Sequence, residues 1–271
     1  MQSASEQARI LEHEPGDLTC TVGADVPLAE LQEALARGGQ MLALDPPEAA
    51  RLTVGEAFAT AAVGPRAHRY GGPRDLVLGV TVRLADGTVA RGGGRVVKTV
   101  AGYDLPKLFT GARGRLGEIL ELTLRLHPLP ASTFTVVTAP ADPTILEPLA
   151  PACIEYAWPP ERMFVRFESP VARPLAEQAA ALVGGDLVEA DESLWAEHRE
   201  RAAGLELTRC LPADVPATIE RLREAGATTI VGRYARGLLF SDAENRGQAP
   251  GDRGLAPVLE LERRVVEAYR G

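Results

Sequence analysis

Residues 69–79 read Arg69-Tyr70-Gly71-Gly72-Pro73-Arg74-Asp75-Leu76-Val77-Leu78-Gly79. Two glycines and a proline stand directly before an aliphatic run, so the backbone turns tightly and then enters a strand. The same texture extends from Leu52 to Leu126. Asp86-Gly87 signals a hairpin between strands expected at 76–84 and 88–91. Gly92-Gly93-Gly94 loosens the chain before Lys98-Thr99-Val100-Ala101-Gly102-Tyr103-Asp104, and a short helix is expected over 104–110. Gly117 then opens a strand over 119–126 in which apolar and polar residues alternate.

Upstream, residues 17–24 alternate with period two and read as a strand. Pro27 begins a helical pattern that places Leu28, Leu31 and Leu35 on one face, and Gly38-Gly39 ends it. A short apolar strand, Met41 to Leu44, stops at Asp45-Pro46-Pro47. A short helix is expected within 53–65, and residues 1–12 read as a frayed or partly helical start. Downstream, His127-Pro128-Leu129-Pro130-Ala131 marks a boundary, because prolines cannot continue an interior strand.

Beyond it the pattern predicts strands at 134–138, 154–158, 163–167, 205–211, 228–234 and 237–241. Helices are expected at 143–149, 174–183, 193–201, 215–225 and 257–269, with a polar, disorder-prone loop at 242–254. The fold class is therefore α+β. One domain spans 1–130, and a second spans 131–271 with an antiparallel sheet and helices on one face.

Composition narrows the function. A net charge of −8 argues against non-specific binding to nucleic acid. No apolar run reaches the ~20 residues of a membrane span. The N-terminal residues lack the pattern of a signal peptide, which makes cytoplasm the default. Cys20, Cys153 and Cys210 are dispersed, as are His13, His68, His127 and His198, so no metal site is expected. A dinucleotide fold of the GxGxxG type does not fit, since Gly111-Ala112-Arg113-Gly114 lies late and precedes a strand. Abundant arginine against only two lysines, Lys98 and Lys107, reflects a biased composition.

The order of motifs from Thr53-Val54-Gly55 through residues 69–80, Asp86-Gly87-Thr88, 98–105 and 114–130 resembles the vanillyl-alcohol-oxidase type, or PCMH-type, FAD-binding flavoproteins. Within them it is most similar to the FAD-binding subunits of bacterial glycolate oxidases, over roughly residues 10–130 and more loosely through the second domain. The resemblance implies FAD held by the first domain and a cap formed by the second. It places Pro46 and Pro47 at the turn entering the flavin pocket, and Gly55, Glu56 and Thr60 beside the ring. Gly64, Tyr70 and Gly71 are placed near the ribityl and phosphate groups, and Gly117, Glu118 and Ile119 at the far side. Asp75, Lys98, Tyr103 and Asp104 correspond to positions that brace these loops.

Two departures from the family stand out. The glycine-rich phosphate turn of the family's N-terminal subdomain has no counterpart, so the FAD domain is expected to be incomplete at its N-terminus, either by nature or because the true start lies upstream. Glu56 replaces the second glycine of a Gly-Gly pair, and a carboxylate there is expected to crowd the ring and repel reduced flavin. The resemblance implies oxidation of a small 2-hydroxy acid, with a sister flavoprotein and an iron–sulfur subunit as partners. The alternative is a scaffold subunit of the same complex that has lost FAD. No catalytic residue is assigned; only His68 lies in the region of a base. Arg69 and Arg74 are expected to brace loops by pairing with Asp75 or Glu56. Arg166 is expected on the surface of a cap strand, with contact to a carboxylate substrate as the other reading.

Overall fold

The computed structural model describes residues 10–94, 104–189 and 191–243. The chain divides into two compact units, Met1–Leu129 and Pro130–Gly271.

In the first unit, β1 (Ile10–Glu14), β2 (Thr19–Gly23), β4 (Val77–Arg83), β5 (Val89–Gly93) and β6 (Glu118–Arg125) form an antiparallel sheet in the order β1-β2-β6-β4-β5. β3 (Gln40–Met41) pairs separately with β7 (His127–Pro128). Leu122 and Leu124 of β6, Val80 and Val82 of β4 and Val22 of β2 point to one face. Helix α1 (Leu28–Arg37) covers them with the Leu28, Leu31 and Leu35 stripe expected from its sequence, together with Val54, Ala57 and Phe58 of α2 (Val54–Ala59). The opposite face is polar: Thr21 and Thr123 hydroxyls lie 3.1 Å apart, and Thr81 donates to Glu121 at 2.8 Å.

Three expectations are corrected here. Residues 10–14 are not a frayed or helical start but an edge strand, which pairs with the otherwise open side of β2. The stretch 69–79 is not only a turn. It holds two single-turn helices, α3 (Ala67–Tyr70) and α4 (Pro73–Leu76), before β4 begins. Pro73 suits the first helical position, and the Asp75 carboxylate accepts from Gly72 N–H at 2.8 Å, so the turn is capped locally. Arg74 does not show the expected brace: its guanidinium donates to the Lys107 carbonyl at 2.9 and 3.0 Å. That carbonyl belongs to α5 (Leu105–Phe109), where Asp104 pairs with Lys107 Nζ at 2.7 Å. Lys98, Thr99 and Tyr103 lie outside the described residues.

The second unit is built on a wider antiparallel sheet. Its strands are β8 (Thr133–Thr138), β9 (Cys153–Trp158), β10 (Arg162–Glu168), β11 (Asp186–Val188), β12 (Glu206–Arg209), β13 (Ile230–Arg233) and β14 (Leu238–Ser241), in the order β11-β8-β10-β9-β13-β14-β12. The expected 143–149 helix is instead two 3-10 turns, Pro143–Ile145 and Glu147–Leu149, because Pro148 has no N–H to donate back along a helix. α6 (Ala172–Val183) and α8 (Val215–Glu224) pack on Ile154, Tyr156, Met163, Val165 and Phe167. α7 (Glu192–Glu200) sends Trp195 against Cys153, Ala157 and Phe164, which alternate with those residues and point the other way. Helices therefore lie on both faces of this sheet, not on one. The final helix expected at 257–269 lies outside the described residues, as does most of the loop before it.

Candidate functional site

The first unit contains a cleft of about 610 Å³ at one end of its sheet. β2 ends its pairing with β6 at Gly23, opposite Glu121, and one further bond runs from Ala24 N–H to the Leu120 carbonyl at 2.9 Å. β6 continues past that point, so the segment Gly117–Ile119 has no β2 partner on that side. α2 supplies the facing wall through Gly55, Glu56 and Ala59, while Phe109, Ile119 and Leu120 add apolar surface.

Five of the residues nominated from sequence line this cleft: Gly55, Glu56, Gly117, Glu118 and Ile119. Pro46, Pro47, Thr60, Gly64, Tyr70 and Gly71 are not among its lining residues. Pro46 is buried and Pro47 half-buried in the loop after β3. Thr60 ends α2 with its hydroxyl donating to the Glu56 carbonyl at 2.7 Å. Tyr70 meets His127 edge-on at 4.8 Å, and Gly71 ends α3 at φ 83°. His68 does not line the cleft either. Asp25, Phe109, Gly114 and Glu121 do, and they were not nominated. Gly114 belongs to the same glycine motif as Gly117, whereas nothing in the sequence sets Asp25 apart from any loop carboxylate.

Two glycines show what demands their small size. A Cβ on Gly55 would stand 2.7 Å from Ala24 Cβ, and one on Gly64 would stand 1.9 Å from the Asp45 carbonyl oxygen. Both close approaches are to the chain's own backbone or side chains. The first brings the α2 wall against the β2–α1 connection, where Gly55 N–H donates to Ala24 O at 2.8 Å, and the second holds the chain after α2 against the loop after β3.

Glu56 has a local partner. Its carboxylate accepts from Thr53 N–H at 2.8 Å, while Glu56 N–H donates to Thr53 Oγ1 at 3.1 Å. This reciprocal capping box starts α2 and directs the carboxylate along the helix end. Glu118 is paired with Arg83 at 2.7 Å, and Glu121 accepts from Thr81.

A flavin ring is flat and largely apolar, with polar atoms along its edges. The apolar wall and the unpaired edge of β6 fit that part of the group. A pyrophosphate instead requires cations or converging N–H donors. Among the described lining residues there is no lysine, arginine or histidine, and four carboxylates are present: Asp25, Glu56, Glu118 and Glu121. The described lining thus fits the ring portion of FAD and offers no positive charge to its pyrophosphate.

Elsewhere, Arg166 is 2% exposed, against the expectation of a surface position. It lies 3.0 Å from both Asp191 and Glu192 and 3.4 Å from Glu168. Burial raises the Glu192 carboxyl, but hydrogen bonds from Arg199 and Arg166 and the Arg166 charge carry it below its ordinary value. Burial pushes the Cys20 thiol up to about 12, which leaves it inert in the core. Among the described residues no cluster of His, Cys, Asp and Glu is placed to hold a metal. No helix there is long and apolar enough to cross a membrane.

Residues 3–93 match the FAD binding domain family. The glycolate oxidase subunit GlcD of Bacillus subtilis is 31% identical over 187 residues, covering 66% of this chain and 40% of that protein. The glycolate oxidase subunit GlcE of Escherichia coli is 36% identical over 128 residues, covering 47% and 37%. The chain spans about 40% or less of the length of these relatives. Solved structures of alkyldihydroxyacetonephosphate synthase share the fold, with a TM-score of 0.62 at 16% identity over 97% of this chain and 61% of that one. A second such structure gives 0.63 at 15%, over 86% and 58%. The matched domain and these relatives agree on what the first part of the chain carries: an FAD-binding domain of the PCMH type, whose cofactor is FAD.

Proposed function

We propose that this chain is the FAD-binding subunit of a glycolate-oxidase-like complex. It would oxidise a small 2-hydroxy acid to the 2-oxo acid and pass the two electrons to partner subunits, a sister flavoprotein and an iron–sulfur protein. Residues 1–130 would hold the cofactor and 131–271 would serve as the cap. The supporting observation is the cleft itself, which gathers Gly55 and Glu56 from one stretch and Gly117, Glu118 and Ile119 from another around one apolar wall.

FAD, when bound, would supply the acceptor for the hydride equivalent, which carries both electrons. The chain's own part is to hold the ring. Phe109, Ile119 and Leu120 would shield it from water, and the strand-free edge at 117–119 would offer backbone groups to its polar atoms. The four carboxylates oppose any gain of negative charge in the cleft. We assign no base to this chain.

The reading is tested by adding FAD to the full chain, alone and with its partner subunits, and following flavin absorbance and melting temperature. At 100 times Kd a true binder gains about 2.7 kcal/mol. A chain that stays colourless and unshifted even with its partners sinks the proposal. The second reading is a scaffold subunit that has lost FAD, supported by the four carboxylates and the lack of a lining cation among the described residues. It expects no FAD response in any combination, yet stable assembly with the partners.

A further inference from the structure

Arg233 ends β13 and is only 2% exposed. Among the described residues, none offers a hydrogen-bond partner to its three guanidinium nitrogens, Nε, Nη1 and Nη2. A guanidinium stays charged at any ordinary pH, and a buried charge without partners is strongly unfavourable. Its carbon sits over the Phe240 ring of β14, 4.3 Å from the ring centre. Such stacking holds the group in place, with its three nitrogens sealed from solvent as well as unpaired in this conformation.

The surroundings follow from strand register. Glu155, Arg233, Leu238 and Arg209 are successive partners across β9, β13, β14 and β12, so their side chains share one face in one row. α7 lies over the acidic end of that row, where His198 Nε2 is 3.1 Å from Glu155 Oε2 and packs on Phe164 of β10. Glu155 Oε1 and His198 Nδ1 have no partner of their own among the described residues. The other end is basic and apolar: Arg233, then Leu238 beside Phe240, then exposed Arg209 and Leu207 on the edge strand. Strands spaced about 4.8 Å apart put the two arginine backbones roughly 10 Å from each other, a separation that two long side chains can close around one small ion.

We propose that Arg233 and Arg209 form a binding site for a small organic carboxylate on this face of the second unit. Arg209 draws the anion in at the exposed β12 edge, the side chains there part to admit it, the Arg233 fork takes both oxygens, and Phe240 and Leu238 line the organic part. The site lies within the second unit and needs no FAD, so it stands or falls apart from the flavin reading.

The test is a calorimetric titration of the full chain, without FAD, using sodium glycolate and sodium acetate. Sodium chloride at matched ionic strength and inorganic phosphate serve as controls. Saturable binding of the two carboxylates is expected, with weaker response to phosphate and none to chloride. Arg233→Met should weaken binding about 10- to 100-fold, the loss of two charge-assisted hydrogen bonds. Arg233→Lys, which keeps the charge without the fork, should recover only part of it. Arg209→Met, at an exposed position that the fold tolerates, should weaken it severalfold and decides the matter if the Arg233 variants do not fold. Wild type that binds no carboxylate overturns the proposal, as does unchanged affinity in Arg233→Met or Arg209→Met. Binding seen only in Glu155→Gln would assign Arg233 to an internal pair with Glu155, and overturns it equally.

Discussion

Glu56 shows how one residue carries two meanings. Compared with the family it is a misplaced carboxylate, but within this chain it is the N3 residue of a capping box with Thr53. Replacing it by glycine to restore the family's pattern should therefore destabilise α2. Losing the cap and adding a glycine to the first turn together cost about 1–2 kcal/mol, readable in urea melts of Glu56→Gly. An unchanged midpoint would show that the box is not formed in solution. Gly64→Ala should be worse, at about 1–3 kcal/mol from overpacking, because its Cβ would overlap the Asp45 carbonyl. His127 gives a pH signature. Burial, with the charges of Arg125 and Arg69, lowers its pKa from 6.5. The folded state then binds its proton less readily than the unfolded state does. Stability from this group is full above pH 6.5 and is lost as pH falls from there through the depressed folded value. Comparing melts of wild type and His127→Gln between pH 7.5 and 5 should show a flatter profile for the variant; parallel profiles would refute the shift.

At the scale of the element, α7 shows why a surface arginine was expected and a buried one found. An alternating strand with one polar side reads as half-solvated, and β10 alternates Met163, Val165, Phe167 with Phe164, Arg166, Glu168. The polar side is covered because α7 docks there by hydrogen bonds as well as by apolar contact. Trp195 Nε1–H donates to Thr135 Oγ1 at 2.7 Å, Thr135 donates to Asp191 at 2.6 Å, and Arg166 donates to Asp191 at 3.0 Å. Asp191→Ala removes the acceptor shared by Arg166 and Thr135, leaves Glu168 and Glu192 beside the guanidinium, and should cost about 1–3 kcal/mol. Amide exchange in α7 should rise more than in α8 on the other face. Equal protection in both helices would show that the network does not hold α7 down.

For the whole molecule, each unit has its own apolar cluster, one around Leu31, Phe58 and Leu122, the other around Tyr156, Val165 and Ile219. Leu31→Ala should cost about 2–5 kcal/mol. Exchange should accelerate in β2, β4 and β6 before it does in β9 and β10, since distant sites couple weakly. Uniform acceleration across both units would instead mark one cooperative block.

Most of this architecture is legible locally. The period-two runs of β4, β6, β9 and β10, the leucine stripe of α1 and the glycine stops follow from backbone sterics and hydrophobic spacing that any short window carries. Thr53-Val54-Gly55-Glu56 spells a capping box, a pattern missing from the expectations above, in which Glu56 counted only as a departure from the family. Motif order marked out Gly55, Glu56 and Gly117 to Ile119 before their positions were known. What no window carries is which side of a sheet a helix chooses and where one strand outruns its neighbour. Those depend on contacts between residues far apart in the chain. Tertiary structure alone buried Arg166 beneath α7, left Arg233 without a partner, and opened the cleft at the end of β2. Burial and pairing are properties of the packed surface and not of any single segment.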